Sequence, residues 1–126
     1  MLQILECRDF TPYKKQLDML DGFDGELHIV ESVGDNSVDG FAIYAVNPQR
    51  VTFYFAEAGD DLGLFDGIIR AVIFKAVIAS VDMAFFERTV DGERLMRLGF
   101  IQNDGRELNN LADFMNNCKN CRNSKE

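Results

Sequence analysis

The chain has no tryptophan, two prolines and a single histidine, His28. One imidazole excludes multi-histidine metal sites, and a histidine-based triad is not expected. Its three cysteines, Cys7, Cys118 and Cys121, are an odd number in a chain large enough to build its own core, so a disulfide framework is not implied. Cys118 and Cys121 have the spacing of a zinc or redox half-site but lack a second pair, and no metal site is expected. Basic residues are also short: 13 against 21 acidic ones, a net charge of −8. Such a surface repels phosphate backbones and anionic lipid, so neither nucleic acid nor a membrane is an expected partner. No apolar run reaches the roughly 18–20 residues that cross a bilayer, and the first six residues carry no basic flank, which makes the cytoplasm the expected location.

What remains is the composition of one folded domain. The 126 residues are 47% hydrophobic and 27% charged. Residues 1–117 are read as a single domain and 118–126 as a frayed tail. Neither a repeat nor a low-complexity segment divides them.

Helical and extended periods alternate along the chain. Thr11 and Pro12 open a short helix, with Thr11 as its N-cap and an apolar stripe at Tyr13, Leu17 and Leu20. Three strands follow, Leu27 to Val33, Gly40 to Val46 and Val51 to Ala56, joined by short turns that predict an antiparallel meander. Leu62 to Val81 reads as a long buried helix whose polar positions, Asp66, Arg70 and Lys75, form one narrow outward strip. Met83 to Phe86 reads as a strand parallel to Val51–Ala56 across that helix. A helix from Asp91 or Thr89 ends at Gly99, and Phe100–Gln102 and Arg106–Leu108 read as a hairpin around Asn103-Asp104-Gly105. Phe85, Phe86 and Phe100 are expected in the core. His28 lies on a strand and reads as a half-exposed side chain of a sheet face. The sum is an α/β domain with a mixed, mostly antiparallel sheet and flanking helices.

This order of elements, together with Glu93-Arg-Leu-Met-Arg-Leu-Gly-Phe100, resembles the GNAT acetyltransferase superfamily. The resemblance implies acetyl-CoA as cofactor, with its pantetheine between the strands Val51–Ala56 and Met83–Phe86. It also implies a pyrophosphate wrapped by the turn before the long helix, where amides and the helix dipole favour anions. Carried onto this chain, the cofactor-binding residues are Phe55, Ala56, Gly59, Asp61, Leu62, Gly63 and Leu64. Of the usual turn pattern Gly63 alone fits: Asp60 stands where glutamine or arginine is usual, and Phe65 where a small residue is. Two carboxylates beside a pyrophosphate each cost about 1 kcal/mol at 4 Å even in bulk water, and a bulky Phe65 is expected to hinder backbone approach. Leu95 takes the place where many members carry a tyrosine acid. Glu57, near the end of the splayed strand, is the candidate general base.

Two functions follow from this. One is an acetyltransferase-like protein that binds acetyl-CoA and acetylates a small-molecule or protein amine. The other is a non-catalytic module of the same fold, kept for binding or for dimerisation after loss of the cofactor loop. The eleven phenylalanines suit either, since a ligand groove or a homodimer interface would use the apolar surface that a small sheet leaves over.

Overall fold

The computed structural model describes residues 3–116. Six strands form one sheet in chain order: β1 (Gln3–Glu6), β2 (Glu26–Val33), β3 (Val38–Val46), β4 (Val51–Glu57), β5 (Met83–Phe86) and β6 (Glu107–Asn109). Every neighbouring pair is antiparallel except β4 and β5, which run parallel and are linked by α2 (Leu62–Ile78). Short turns account for the antiparallel part. Gly34 N–H donates to the Ser37 carbonyl at 2.9 Å, and Asn47 closes the next turn by accepting from Gln49 and Arg50 N–H groups.

The sheet is buried on both faces. On one side α2 packs Phe65, Ile68, Ile69, Val72 and Ile73 onto Val30, Ala42, Tyr44 and Phe53. On the other, the 3-10 turn Thr11–Tyr13, α1 (Lys14–Asp18) and the turn after it lay Tyr13, Leu17 and Leu20 over Ile29, Ile43, Ala45 and Phe55. At roughly 1.5–3 kcal/mol per large apolar side chain, this burial is the main support of the fold. Consequently β4, covered on both faces, buries every residue from Val51 to Ala56 and shows no alternation. Phe53 stacks on Phe86 at 4.8 Å, and the aromatic row continues through Phe100 to Phe114.

Several expectations need correction. β1 has no counterpart in the sequence reading. It pairs with β2 at the sheet edge, where Leu5 is 48% exposed and the strand lacks an alternating pattern. Thr11 does not cap its helix: Phe10 holds the N-cap position without a side-chain bond, and Thr11 N–H donates to Asp9 Oδ1 at 3.0 Å. Residues 100–102 are not a strand: Phe100 and Ile101 turn into the core, and β6 pairs with β5 instead. Phe85 is half-buried on the face opposite Phe86, with the Arg50 guanidinium 5.3 Å over its ring. The outward strip of α2 is not purely polar, since Phe74 and Ile78 are 55% and 68% exposed. By contrast α3 (Gly92–Arg97) has the expected cap, Asp91 accepting from Glu93 and Arg94 N–H groups, and Gly99 follows at φ +87°. The tail 118–126, with Cys118 and Cys121, lies outside the described residues.

Among the described residues no helix is long and apolar enough to cross a membrane, and no cluster of metal-ligating side chains occurs.

Two predictions follow from the packing. At Gly25 φ is +132° and an added Cβ would lie 2.3 Å from the Val46 carbonyl oxygen. Gly25→Ala is expected to cost about 3 kcal/mol and to lower Tm by about 10 °C, read by thermal and urea unfolding. The second concerns alkaline pH. Burial foremost, then the charge of Glu6, raises the Tyr44 hydroxyl above the ordinary tyrosine range; it donates to Glu6 at 3.2 Å. Burial and Glu31 do the same to Tyr13, which donates to that carboxylate. Folded tyrosines therefore keep protons that unfolded ones lose, so stability is full below about pH 10 and falls above it, by at most about 1.4 kcal/mol per pH unit for each group. Tyr44→Phe should make the fall between pH 10 and 11.5 less steep.

Candidate functional site

The site begins with a mismatch between two ladders. Against β3, Ile43 opposes Phe55 while Tyr44 opposes Phe53, so Tyr54 is an extra residue, a β-bulge. The bulge puts Tyr54 and Phe55 into the same cluster on the α1 side of the sheet. Against β5, pairing covers only Val51 to Phe53. Glu87 N–H still donates to the Phe53 carbonyl at 2.9 Å, and the Thr89 hydroxyl to that of Tyr54. Past that point β4 runs on to Glu57 with no β5 partner, and the two parallel strands fork.

A cavity of about 550 Å³ opens at the fork, lined by Tyr54, Glu87, Thr89 and the loop Met19 to Asp24. The loop is pinned at its far end. Asp24 N–H donates to the Tyr54 hydroxyl at 2.8 Å, its carbonyl accepts from Asn47 Nδ2 at 2.9 Å, and its carboxylate meets Arg50 Nη2 at 2.7 Å. Phe23 stands edge-on to Tyr54 at 6.2 Å. With Asp24 neutralised by Arg50, the lining keeps two carboxylates, exposed Asp21 and half-buried Glu87, for which no ion pair occurs among the described residues. The cavity therefore favours a cation.

The turn before α2 has a different character. Asp61 N–H donates to the Ala58 carbonyl at 3.1 Å with Gly59 at φ +57°, a conformation that suits glycine. Asp61 then caps α2: its Oδ1 accepts from Leu64 N–H at 2.9 Å and its carbonyl from Phe65 N–H at 3.0 Å. A Cβ placed on Gly63 would find that same Oδ1 at 3.5 Å, so the carboxylate also lies beside this glycine. An acyl-CoA pyrophosphate does not fit the turn as folded, because the protein's own anion holds one of the amides it would need. Phe65 does not obstruct the turn, contrary to expectation: it is 1% exposed and faces the core, with Arg94 5.6 Å over its ring.

The residues singled out in the sequence fall in three places. Phe55 and Ala56 are buried in β4 on the open side of the fork; Gly59, Asp61, Leu62, Gly63 and Leu64 form the turn and first helical turn. Glu57 is exposed at the end of β4, opposite Phe41, and does not line the cavity. Tyr54, Glu87, Thr89 and Asp21 escaped the sequence reading. Glu87 had a signal, being the first residue beyond a strand expected to run parallel to β4; Tyr54 had none, because no glycine marks the bulge.

A smaller cavity of about 240 Å³ lies on the α2 side, lined in part by Glu6, Glu26, His28, Tyr44 and Lys75. Its polar groups serve one another. His28 Nε2 lies 2.8 Å from Glu26, Lys75 Nζ 3.1 Å from Glu6, and the imidazole stacks on Tyr44 at 5.4 Å.

The Tyr54 hydroxyl ties the bulge to the loop that walls the larger cavity. Tyr54→Phe is expected to cost about 1 kcal/mol and to remove hydrogen-exchange protection at the Asp24 amide while leaving β2–β3 amides protected.

No family model and no curated protein matches the sequence. Solved structures do match. The chain is similar to the ribosomal-protein-S18-alanine N-acetyltransferase of Escherichia coli, at 14% identity and a TM-score of 0.61 over 87% of this chain and 94% of that one. It is also similar to a GNAT family acetyltransferase of Elizabethkingia anophelis, solved with acetyl-CoA bound, at 13% identity and a TM-score of 0.57 over 86% and 92% of the two chains. In the order and pairing of its strands and in the parallel β4–β5 pair linked by α2, the fold of this chain is that of these acetyltransferase structures.

Proposed function

We propose that the chain is an acetyltransferase-like protein that accepts a positively charged amine in the cavity at the β4–β5 fork and acylates it. The carrying observation is the cavity's position: it opens where the parallel ladder ends, and its wall brings Glu87 and Asp21 to one space. An ammonium group is attracted by these carboxylates but is not a nucleophile until it loses a proton. Glu87, half-buried and next to the last ladder bond, is placed to take that proton, directly or through one water. Asp21, exposed on the loop, adds to the field that draws the cation in. The expectation that Glu57 serves as base remains the competing assignment, and its exposed position outside the cavity lining ranks it second.

The Asp61 cap favours a second reading, a binding module of this fold without catalysis. Transfer assays separate the two. With an acetyl thioester and a panel of primary amines, amines carrying a second positive charge are expected to be preferred over neutral ones. Glu87→Gln should lower kcat/KM by about 10²–10⁴-fold, with Glu57→Gln changing it less than threefold. A reversed ranking of the two variants would transfer the role to Glu57. No turnover with any amine or thioester would leave the binding module.

A further inference from the structure

We propose that the acyl donor of this chain is a pantetheine thioester held by its arm alone, with no nucleotide diphosphate on the turn before α2. The proposal rests on the acyl-transfer reading above and identifies the other substrate of the same cleft.

The turn is already occupied by an anion. Asp61 Oδ1 takes the Leu64 amide and lies 3.5 Å from the position of a Cβ on Gly63, and the Asp61 carbonyl takes the Phe65 amide. Only the Leu62 and Gly63 amides of the first turn remain for a ligand. Between Glu57 and Asp66 the sequence has four carboxylates, Glu57, Asp60, Asp61 and Asp66, and no lysine or arginine. Two arginines of the flanking helices have other partners: Arg70 pairs with Asp66 at 2.9 Å, and Arg94 stands 3.5 Å from Asp91 while covering Phe65. A diphosphate would therefore meet like charge where it needs donors.

The place for the arm is open. Beyond Tyr54, whose carbonyl takes the Thr89 hydroxyl, the β5-facing edge of β4 from Phe55 to Glu57 has no ladder partner among the described residues, and Tyr54 at its root lines the cavity that holds Glu87. Free strand edges recognise extended chains bearing secondary amides, since each amide can pair as one more strand residue would. A pantetheine arm is such a chain, with two secondary amides and a terminal thiol. Laid along this edge it would present its thioester at the cavity. Transfer forms a C–N bond at the thioester carbonyl and breaks the C–S bond. The ammonium first gives one proton through Glu87 to water; after attack the nitrogen gives up a second, and the departing thiolate takes up one from water, so that an amide, free pantetheine and one released proton remain.

Calorimetric titration of the full chain with S-acetylpantetheine, acetyl-CoA and adenosine 3′,5′-bisphosphate tests this. S-acetylpantetheine is expected to bind within threefold of acetyl-CoA or more tightly, with no binding of the bisphosphate. The double variant Asp60→Asn, Asp61→Asn keeps a side chain able to cap α2; it should tighten acetyl-CoA at least tenfold and leave S-acetylpantetheine unchanged. Binding of acetyl-CoA more than thirtyfold tighter than S-acetylpantetheine, or of the bisphosphate by itself, would overturn the proposal and leave the acyl-transfer reading intact. Failure of both thioesters to bind the folded chain would overturn both.

Discussion

A strand paired along both edges has no backbone group to offer a ligand, and β4 escapes this because its ladder to β5 stops at Phe53. The stop and the bulge at Tyr54 occur one residue apart. An extra residue increases the local twist of a strand and bends it away from a neighbour that lacks the same insertion. Here β3 follows the bend, since pairing resumes at Ile43 and Phe55, while β5 has already ended at Phe86. The fork, the cavity within it and the position of Glu87 at its root all descend from that local mismatch.

An opening in the middle of a sheet must be held by something other than the ladder it lacks. Below the fork the strands are clamped by the Phe53–Phe86 stack at 4.8 Å, which Phe100 and Phe114 extend toward the last helical segment. On the α2 face, Phe65, Ile68 and Ile69 are buried in the same core as Phe53 and Phe86. On the opposite face the loop Met19–Asp24 is fastened to the same bulge through the Tyr54 hydroxyl and to the β3–β4 turn through Asn47 and Arg50. One residue therefore sets both the cleft and its wall. A bond of roughly 1 kcal/mol is adequate for this because the strand beneath it is buried on both faces.

Much of the architecture was legible in the chain because burial leaves a periodic mark. The meander, the long helix and the parallel return strand follow from apolar runs separated by turn-formers, and Asp91 and Gly99 mark the ends of α3. What was not legible depends on pairing rather than on pattern. β1 is an edge strand with an exposed leucine and no alternation, and residues 100–102 are as apolar as a strand while serving as core-filling turn. The site divides in the same way. The cap at Asp61 could be anticipated from its place before a helix, whereas the bulge exists only as a register between two strands. Glu57 drew attention for its position in a family pattern, and the geometry shifts attention to Glu87, a residue whose significance depends on where β5 stops.

The carboxylate at the start of α2 joins local stability to ligand choice. An aspartate N-cap is worth about 1 kcal/mol to a helix, and it obtains this by satisfying one of the orphan amides that an external anion would otherwise use. The two uses exclude each other at the Leu64 amide, where Asp61 is already bound. Displacing the side chain would surrender the cap and leave a second negative charge beside the incoming one, with Asp60 adjacent. Affinity for an anionic cofactor is therefore lowered twice at this turn, whereas affinity for a neutral, amide-bearing arm is untouched, because the β4 edge that would receive it owes nothing to the helix terminus. On the proposed reading, the carboxylate that caps α2 turns ligand choice toward groups recognised along the strand and away from phosphate.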